Sequence, residues 1–189
     1  MKLPLAVVGD ALRYIATWST TGAVAPSGRR LAARMVQDID PAGAAPILEL
    51  GPGNGVVTEA LIERGVSPDR IVAVEYNSEF CALLAARFPG VRVIEGDAFD
   101  LGVTLGPLAA TRFAAAVSSL PLLLRPPPDR HALVLDVLAR LLPGGRLTQF
   151  SYSPKPPVPA SPEEFLLTGS PFVLLNLPPA RVWTYSALS

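Results

Sequence analysis

The sequence predicts an α/β fold: a seven-stranded, mostly parallel sheet that ends in an antiparallel C-terminal hairpin strand, with helices on both faces. Three observations carry this. Ile47-Leu48-Glu49-Leu50 is a short apolar run that breaks into Gly51-Pro52-Gly53-Asn54-Gly55 and then into a helical pattern. Apolar runs and helical stretches then alternate, as parallel strands with crossover helices require. Two last apolar runs, Phe172 to Leu177 and Arg181 to Tyr185, have no helix between them and read as the closing hairpin.

Taken in order, Leu5 to Trp18 reads as a helix with Pro4 near its first turn, where proline is tolerated. Leu5, Val8, Leu12 and Ile15 share one face, and Asp10, Arg13 and Thr17 the other. Two readings stay open: an amphipathic helix docked on the core, or a helix lying in a membrane interface. Thr20 to Pro26 is a loop, and Ser27 can cap a helix from Gly28 to about Asp38. Residues 1–40 thus form an N-terminal helical segment, and 41–189 the main domain. Within the latter we expect strand 46–50, helix 55–64, strand 70–75, helix 78–88 and strand 91–95. Arg112 to Val117 is the fourth strand and runs into Ser118-Ser119-Leu120-Pro121-Leu122. Asp129 is placed to cap a helix from Arg130 to Leu142. Pro143-Gly144-Gly145 breaks that helix before the Arg146 to Ser151 strand. Ser161-Pro162-Glu163-Glu164 fits a capping box over a short helix.

Composition narrows the function classes. A chain of 189 residues, half of them apolar, fits one domain with ample core. Its mean hydropathy of +0.38 excludes a disordered or fibrous chain. The 16 Lys+Arg and 16 Asp+Glu balance, which argues against a broad electrostatic footprint for nucleic acid. Through Val36, however, Lys2, Arg13, Arg29, Arg30 and Arg34 stand against Asp10 alone, and this basic front end could meet an anionic bilayer or be a solvated face. Cys81 is the single cysteine, so no intramolecular disulfide forms, and it reads as a small buried apolar residue. No apolar run reaches the ~20 residues that span a bilayer, and no secretory cleavage signature is visible. No His/Cys metal cluster, Ser-His-Asp order or P-loop is present, and no metal is expected. His131, the one histidine, reads as a surface or structural residue.

The spacing of the glycine turn selects the cofactor. A dinucleotide fingerprint is G-x-G-x-x-G. Here it is G-x-G-x-G, with Glu49 two residues before Gly51. Glu75 closes the second strand, where an acid some distance past the glycines can hold both hydroxyls of a ribose. Asp97 follows the third strand, in Gly96-Asp97-Ala98-Phe99. Three sites at three successive strand ends form one constellation.

This E-x-G-x-G-x-G turn resembles motif I of class I S-adenosylmethionine (SAM) methyltransferases. The Leu142-Pro143-Gly144-Gly145 break before the fifth strand is similar to that fold as well. The resemblance implies a Rossmann-like domain that uses SAM, yields S-adenosylhomocysteine and needs no metal. It also implies that Glu49, Gly51, Gly53, Asn54 and Gly55 hold the amino-acid part and ribose. Glu75 would take the ribose hydroxyls, Tyr76 would pack near adenine, and Asp97 would bond the adenine amine with Ala98 beside it.

The acceptor belongs at the carboxyl ends of the strands, against Ser118 to Leu122. Adenine dimethyltransferases of ribosomal RNA carry an Asn-Leu-Pro-Tyr type motif there, whose aromatic stacks on the flipped base. This chain keeps Leu120-Pro121 but lacks both the Asn and the aromatic. Over nearly its whole length it resembles instead the short bacterial phospholipid N-methyltransferases. The matching segments are Gly22 to Ser27, Leu48 to Gly53, Val72 to Tyr76, Val93 to Phe99, Val117 to Leu122 and Gln149 to Tyr152. That resemblance implies stepwise methylation of phosphatidylethanolamine towards phosphatidylcholine at the surface of an anionic membrane. The enzyme would be a monomer, cytoplasmic and peripheral on the inner face of the cell membrane, with Leu5 to Trp18 as its membrane helix and no nucleic-acid partner. Ser118 and Ser119 could accept from the lipid amine, or cap the strand end. Tyr14, Tyr152 and Tyr185 could grip a phosphate or amine, or serve as packing. A nucleic-acid adenine N-methyltransferase and a non-catalytic SAM-binding interaction protein are the alternatives.

Overall fold

The computed structural model describes residues 26–176 and 178–188. The helix expected over 5–18, with Tyr14 on it, lies outside the described residues. So do most of the following loop and Leu177.

Among the described residues five α-helices and seven strands follow one another. They are α1 (Pro26–Val36), β1 (Ile47–Leu50), α2 (Val56–Glu63), β2 (Ile71–Glu75), α3 (Ser78–Arg87), β3 (Arg92–Glu95), α4 (Leu101–Thr104), β4 (Ala115–Ser118), α5 (Pro127–Ala139), β5 (Arg146–Ser151), β6 (Phe165–Gly169) and β7 (Arg181–Ala187). The sheet order is β3-β2-β1-β4-β5-β7-β6. Strands β1 to β5 pair in parallel. β7 pairs antiparallel with both β5 and β6, so β6 points the same way as β1 to β5. The expected fold class is therefore present.

The sheet divides the core in two. Leu48, Leu50, Val72 and Val74 face α4 and α5, packing with Leu101, Leu133 and Val137. Ile47, Ile71 and Val117 face the other way and pack with Leu31 and Met35 of α1 and Leu61 of α2. β1 and β2 are buried on both faces, which is why they read as unbroken apolar runs rather than alternating ones. Glu49 interrupts β1 and is itself fully buried.

Three expectations need correction. The sixth strand is Phe165–Gly169, not 172–177. Pro171, Pro178 and Pro179 bracket the latter run and lack the N–H groups a ladder needs, leaving one bridge from Val173 to Ala180. The capping box expected at Ser161 is not made: Ser161 Oγ donates to Glu164 Oε2 at 2.5 Å, side chain to side chain, Glu164 N–H donates to the Ser161 carbonyl at 2.8 Å, and the stretch closes a single turn rather than a helix. Phe165 leaves that turn to bury completely against Tyr185, and β6 pairs with β7 along its whole length. Asp129 is not the cap of α5: the helix starts at Pro127 with Pro126 before it, prolines filling positions whose N–H would go unpaired anyway. α4 was not expected, and Asp100 caps it by accepting from Val103 N–H.

Candidate cofactor and acceptor site

The site is built where β1, β2, β3 and β4 end side by side. Backbone bonds carry the ladder one residue further: Gly51 N–H to Val74 O, Gly96 N–H to Glu75 O and Ser119 N–H to Leu50 O, each 2.9 Å. Beyond them the strand order turns from β1 to β4, the point at which a parallel sheet of this kind opens its ligand crevice.

The turn after β1 is shaped by its glycines. Gly51, Gly53 and Gly55 have φ of 65°, 54° and 83°, and among the described residues only glycines adopt positive φ. The three differ in what surrounds them. A Cβ at Gly55 would lie 2.4 Å from Phe88 Cε2 and 2.9 Å from Leu84 Cδ2, and one at Gly51 would lie 2.7 Å from Leu120 Cδ2. A Cβ at Gly53 would meet nothing within 4 Å. Gly53 thus faces open space, where a ligand can approach the backbone. Two substitutions separate these roles. Gly55→Ala is expected to destabilise the fold by about 2–4 kcal/mol, through overpacking and left-handed strain. Gly53→Ala should cost only about 1–2 kcal/mol of strain while weakening cofactor binding more than the melting temperature. Thermal melts and calorimetric titration of both variants check this.

Glu75 ties the turn to β2. Its Oε2 accepts from Gly53 N–H at 3.0 Å and its Oε1 from Asn77 N–H at 2.9 Å. A carboxylate offers about four lone-pair positions, so each oxygen keeps one for a hydroxyl donor. Arg87 braces the far side, donating to Asn54 O at 2.7 Å and pairing with Glu59 at 2.9 Å. Tyr76, next to Glu75, is 78% exposed at the mouth of the crevice. Cys81 is only half-buried, with Sγ 3.5 Å from Glu75 O, so it is less buried than its residue type suggested.

Glu49 lies beneath the turn. Thr58 Oγ1 on α2 donates to its Oε2 at 2.8 Å, and Oε1 is buried without a partner. Burial pushes its carboxyl up from 4.5 to about 7, against the opposing pull of the Thr58 bonds. Asp97, after β3, accepts from Phe99 N–H at 2.9 Å through Oδ1, and Thr104 Oγ1 holds its backbone carbonyl at 2.8 Å. Ala98 behind it is buried. The turn, Glu75 and Asp97 therefore combine an open backbone cradle, a bidentate acceptor and a second acid, with an unpartnered carboxylate oxygen below. This donor and acceptor set fits the ammonium, ribose diol and amino group of an adenosyl amino acid.

The acceptor loop follows β4. Ser118 is buried, and its Oγ accepts from Leu120 N–H at 3.4 Å, which is the strand-end cap. Ser119 is half-buried. Gln149, on β5 beside Ser118, pins this loop: its Nε2 donates to Leu120 O at 3.1 Å and to Phe150 O at 2.8 Å. Sequence reading did not single Gln149 out as a site residue. The signal available was a polar amide in the middle of an otherwise buried strand. Tyr152, just past the carboxyl end of β5, is half-buried and meets Phe150 edge-on at 5.4 Å. Tyr185 is a correction. It pairs with Leu147 at the opposite end of β5, is fully buried, and its hydroxyl bonds both the N–H and the carbonyl of Val158 at 3.2 Å. Burial pushes the phenol up to about 12. It is a packing residue, out of reach of any ligand in the crevice. His131 pairs with Glu164 at 2.8 Å, away from the site. Among the described residues no group of His, Cys, Asp and Glu is placed to hold a metal ion.

Comparison with known proteins agrees with this geometry. Residues 47–145 match the family model of the methyltransferase domain. An ornithine lipid N-methyltransferase of Singulisphaera acidiphila is 32% identical over 135 residues, covering 69% of this chain and 70% of that protein. A ribosomal RNA small subunit methyltransferase A of Leptothrix cholodnii is 35% identical over 88 residues, covering 47% of this chain but only 31% of that protein. Among solved structures, a TehB-like SAM-dependent methyltransferase of Corynebacterium glutamicum aligns with a TM-score of 0.61 at 17% identity, covering 98% of this chain and all of the other, a likeness of fold. With the matched domain taking in β1 to the end of α5 and every strand end that forms the crevice, the chain belongs to the SAM-dependent methyltransferases.

Proposed function

We propose that this methyltransferase transfers methyl groups to the primary amine of a membrane lipid, with phosphatidylethanolamine methylated stepwise towards phosphatidylcholine. The observation that carries the reading is the extent of the likeness to the lipid N-methyltransferase. It runs through 70% of that protein, against 31% of the RNA-modifying relative. The same likeness favours an ornithine lipid as a second acceptor, since it also presents an amine on an acylated headgroup. The acceptor loop supports both, because Ser118 to Leu122 has no aromatic to stack on a nucleobase.

In this reading Glu75 takes the ribose hydroxyls, Asp97 the adenine amine, and Glu49 with the turn from Gly51 to Gly55 the amino-acid part. Tyr76 covers the adenine. Bound SAM supplies an electrophilic methyl on its sulfonium. The chain's task is then largely alignment of that methyl with an uncharged amine. Gln149 fixes the Leu120 carbonyl, and Ser119 Oγ accepts from the amine N–H so that the nitrogen lone pair faces the methyl. Tyr152 flanks the same edge. The protein works from the cytoplasmic face, on the membrane surface. No helix among the described residues is long and apolar enough to cross a membrane.

Incubation with radiolabelled SAM and vesicles of phosphatidylethanolamine, vesicles of ornithine lipid, RNA or no acceptor tests this. Label is expected in methylated lipid. Label in RNA alone would favour the nucleic-acid reading, and SAM binding without transfer to any acceptor would favour an interaction protein.

A further inference from the structure

We infer that the β6–β7 hairpin tip is a bilayer-docking surface that brings the acceptor crevice against lipid headgroups. The inference rests on the lipid-amine reading for its purpose, and on the following geometry for its place. β6 points the same way as β1 to β5, so the loop that leaves Gly169 emerges on the edge of the sheet that carries the crevice. In that loop Leu174 and Leu175 are 74% and 69% exposed, and Phe172 is 39% exposed. They are held there by structure rather than by a loose chain. Val173 N–H donates to Ala180 O at 2.7 Å, Asn176 N–H donates to Val173 O at 3.1 Å, and the buried Asn176 side chain donates to Pro178 O at 2.6 Å. A second exposed pair, Leu123 and Leu124, follows β4 on the same edge.

The surroundings specify the occupant. Between Phe165 and Leu188 there is no Asp or Glu, and Arg181 is the sole charge. Arg181 sits at the base of the tip, donating to Ser170 O and lying over the Trp183 and Phe172 rings. The exposed Lys155 follows β5 on this edge, while Arg125 after β4 lies over Phe99 among Asp97, Asp100 and Asp129. An apolar tip on a segment that carries an arginine and no carboxylate suits a phospholipid surface, in which leucines enter the acyl boundary and the arginine meets phosphates. Pro171, Pro178 and Pro179 remove N–H groups that strand addition by a second copy would need.

The test is a Leu174→Asp, Leu175→Asp double variant of the full chain, sedimented with vesicles of phosphatidylglycerol and phosphatidylethanolamine. Vesicle-bound protein should fall by about tenfold or more. SAM affinity, melting temperature and methylation of a monomeric short-chain phosphatidylethanolamine should stay as in the unmodified chain. A variant that sediments with vesicles as the unmodified chain does overturns the docking surface. So does one that loses only a concentration-dependent dimer. If the unmodified chain binds vesicles through the tip but methylates no lipid amine, the substrate reading fails and the docking surface stands.

Discussion

Glu75→Ala is expected to lower SAM affinity at least tenfold, and by about a hundredfold or more if both ribose bonds depend on this carboxylate. A hydrogen bond to a charged acceptor contributes roughly 1.5–3 kcal/mol, and two would meet here if Glu75 takes both ribose hydroxyls. The loss has a second source within the chain. Glu75 also accepts the N–H groups of Gly53 and Asn77, so alanine frees the glycine turn from β2 before any ligand arrives. Glu75→Gln perturbs both as well. It keeps the side chain's shape but turns an NH₂ group toward one of those N–H donors, so it should also bind weakly. The fold should survive both changes, because Glu75 is the last residue of β2 and its pairing with Glu95 runs through the backbone, not the side chain. Calorimetric titration beside a thermal melt is the measurement. Unchanged affinity would remove Glu75 from the cofactor site.

The sheet and its crevice were legible in the sequence for a physical reason. Strands buried on both faces need unbroken apolar runs, and a backbone with positive φ at 51, 53 and 55 needs glycine. Both demands leave direct marks on residue type. The end of the sheet was not legible in this way. Phe165 to Gly169 carries only one fully buried side chain, and its strand state comes from pairing with β7, a contact made with residues much later in the chain. The 172–177 run looks more apolar than the true strand, yet its Leu174 and Leu175 are exposed at a hairpin tip. Hydrophobicity alone cannot separate a buried strand from an apolar surface. Tyr185 shows the same limit for sites. Its residue type suggested a ligand-gripping hydroxyl, but register places it opposite Leu147, at the wrong end of β5. Gln149 was missed because its importance lies in a bond to a loop carbonyl that only the folded chain brings near.

Glu49 gives the second large effect, and its sign depends on pH. The carboxyl is fully buried with one oxygen unpartnered, and its pKa in the fold is about 7 against 4.5 unperturbed. The fold therefore favours the protonated form. The associated stability is fully present below about pH 4.5 and is lost as pH rises through 7, a difference of about 3 kcal/mol. Glu49→Gln retains an acceptor for Thr58 Oγ1 and never ionises. Without cofactor it should melt about 5–10 °C above the unmodified protein at about pH 8, with the difference closing toward pH 4.5. Cofactor reverses the preference. SAM carries a sulfonium and an ammonium, and a cation brought near Oε1 favours the carboxylate. Binding should therefore expel a proton below about pH 7, so that affinity of the unmodified protein climbs with pH and levels off above it. Glu49→Gln should bind more weakly at neutral pH, with an affinity nearly flat across this range. Titrations in buffers of different ionisation enthalpy read the proton release directly. If Glu49 only fills the space under the turn, the melting difference will remain while SAM affinity in both proteins ignores pH, and Glu49 then belongs to the core rather than to the cofactor site.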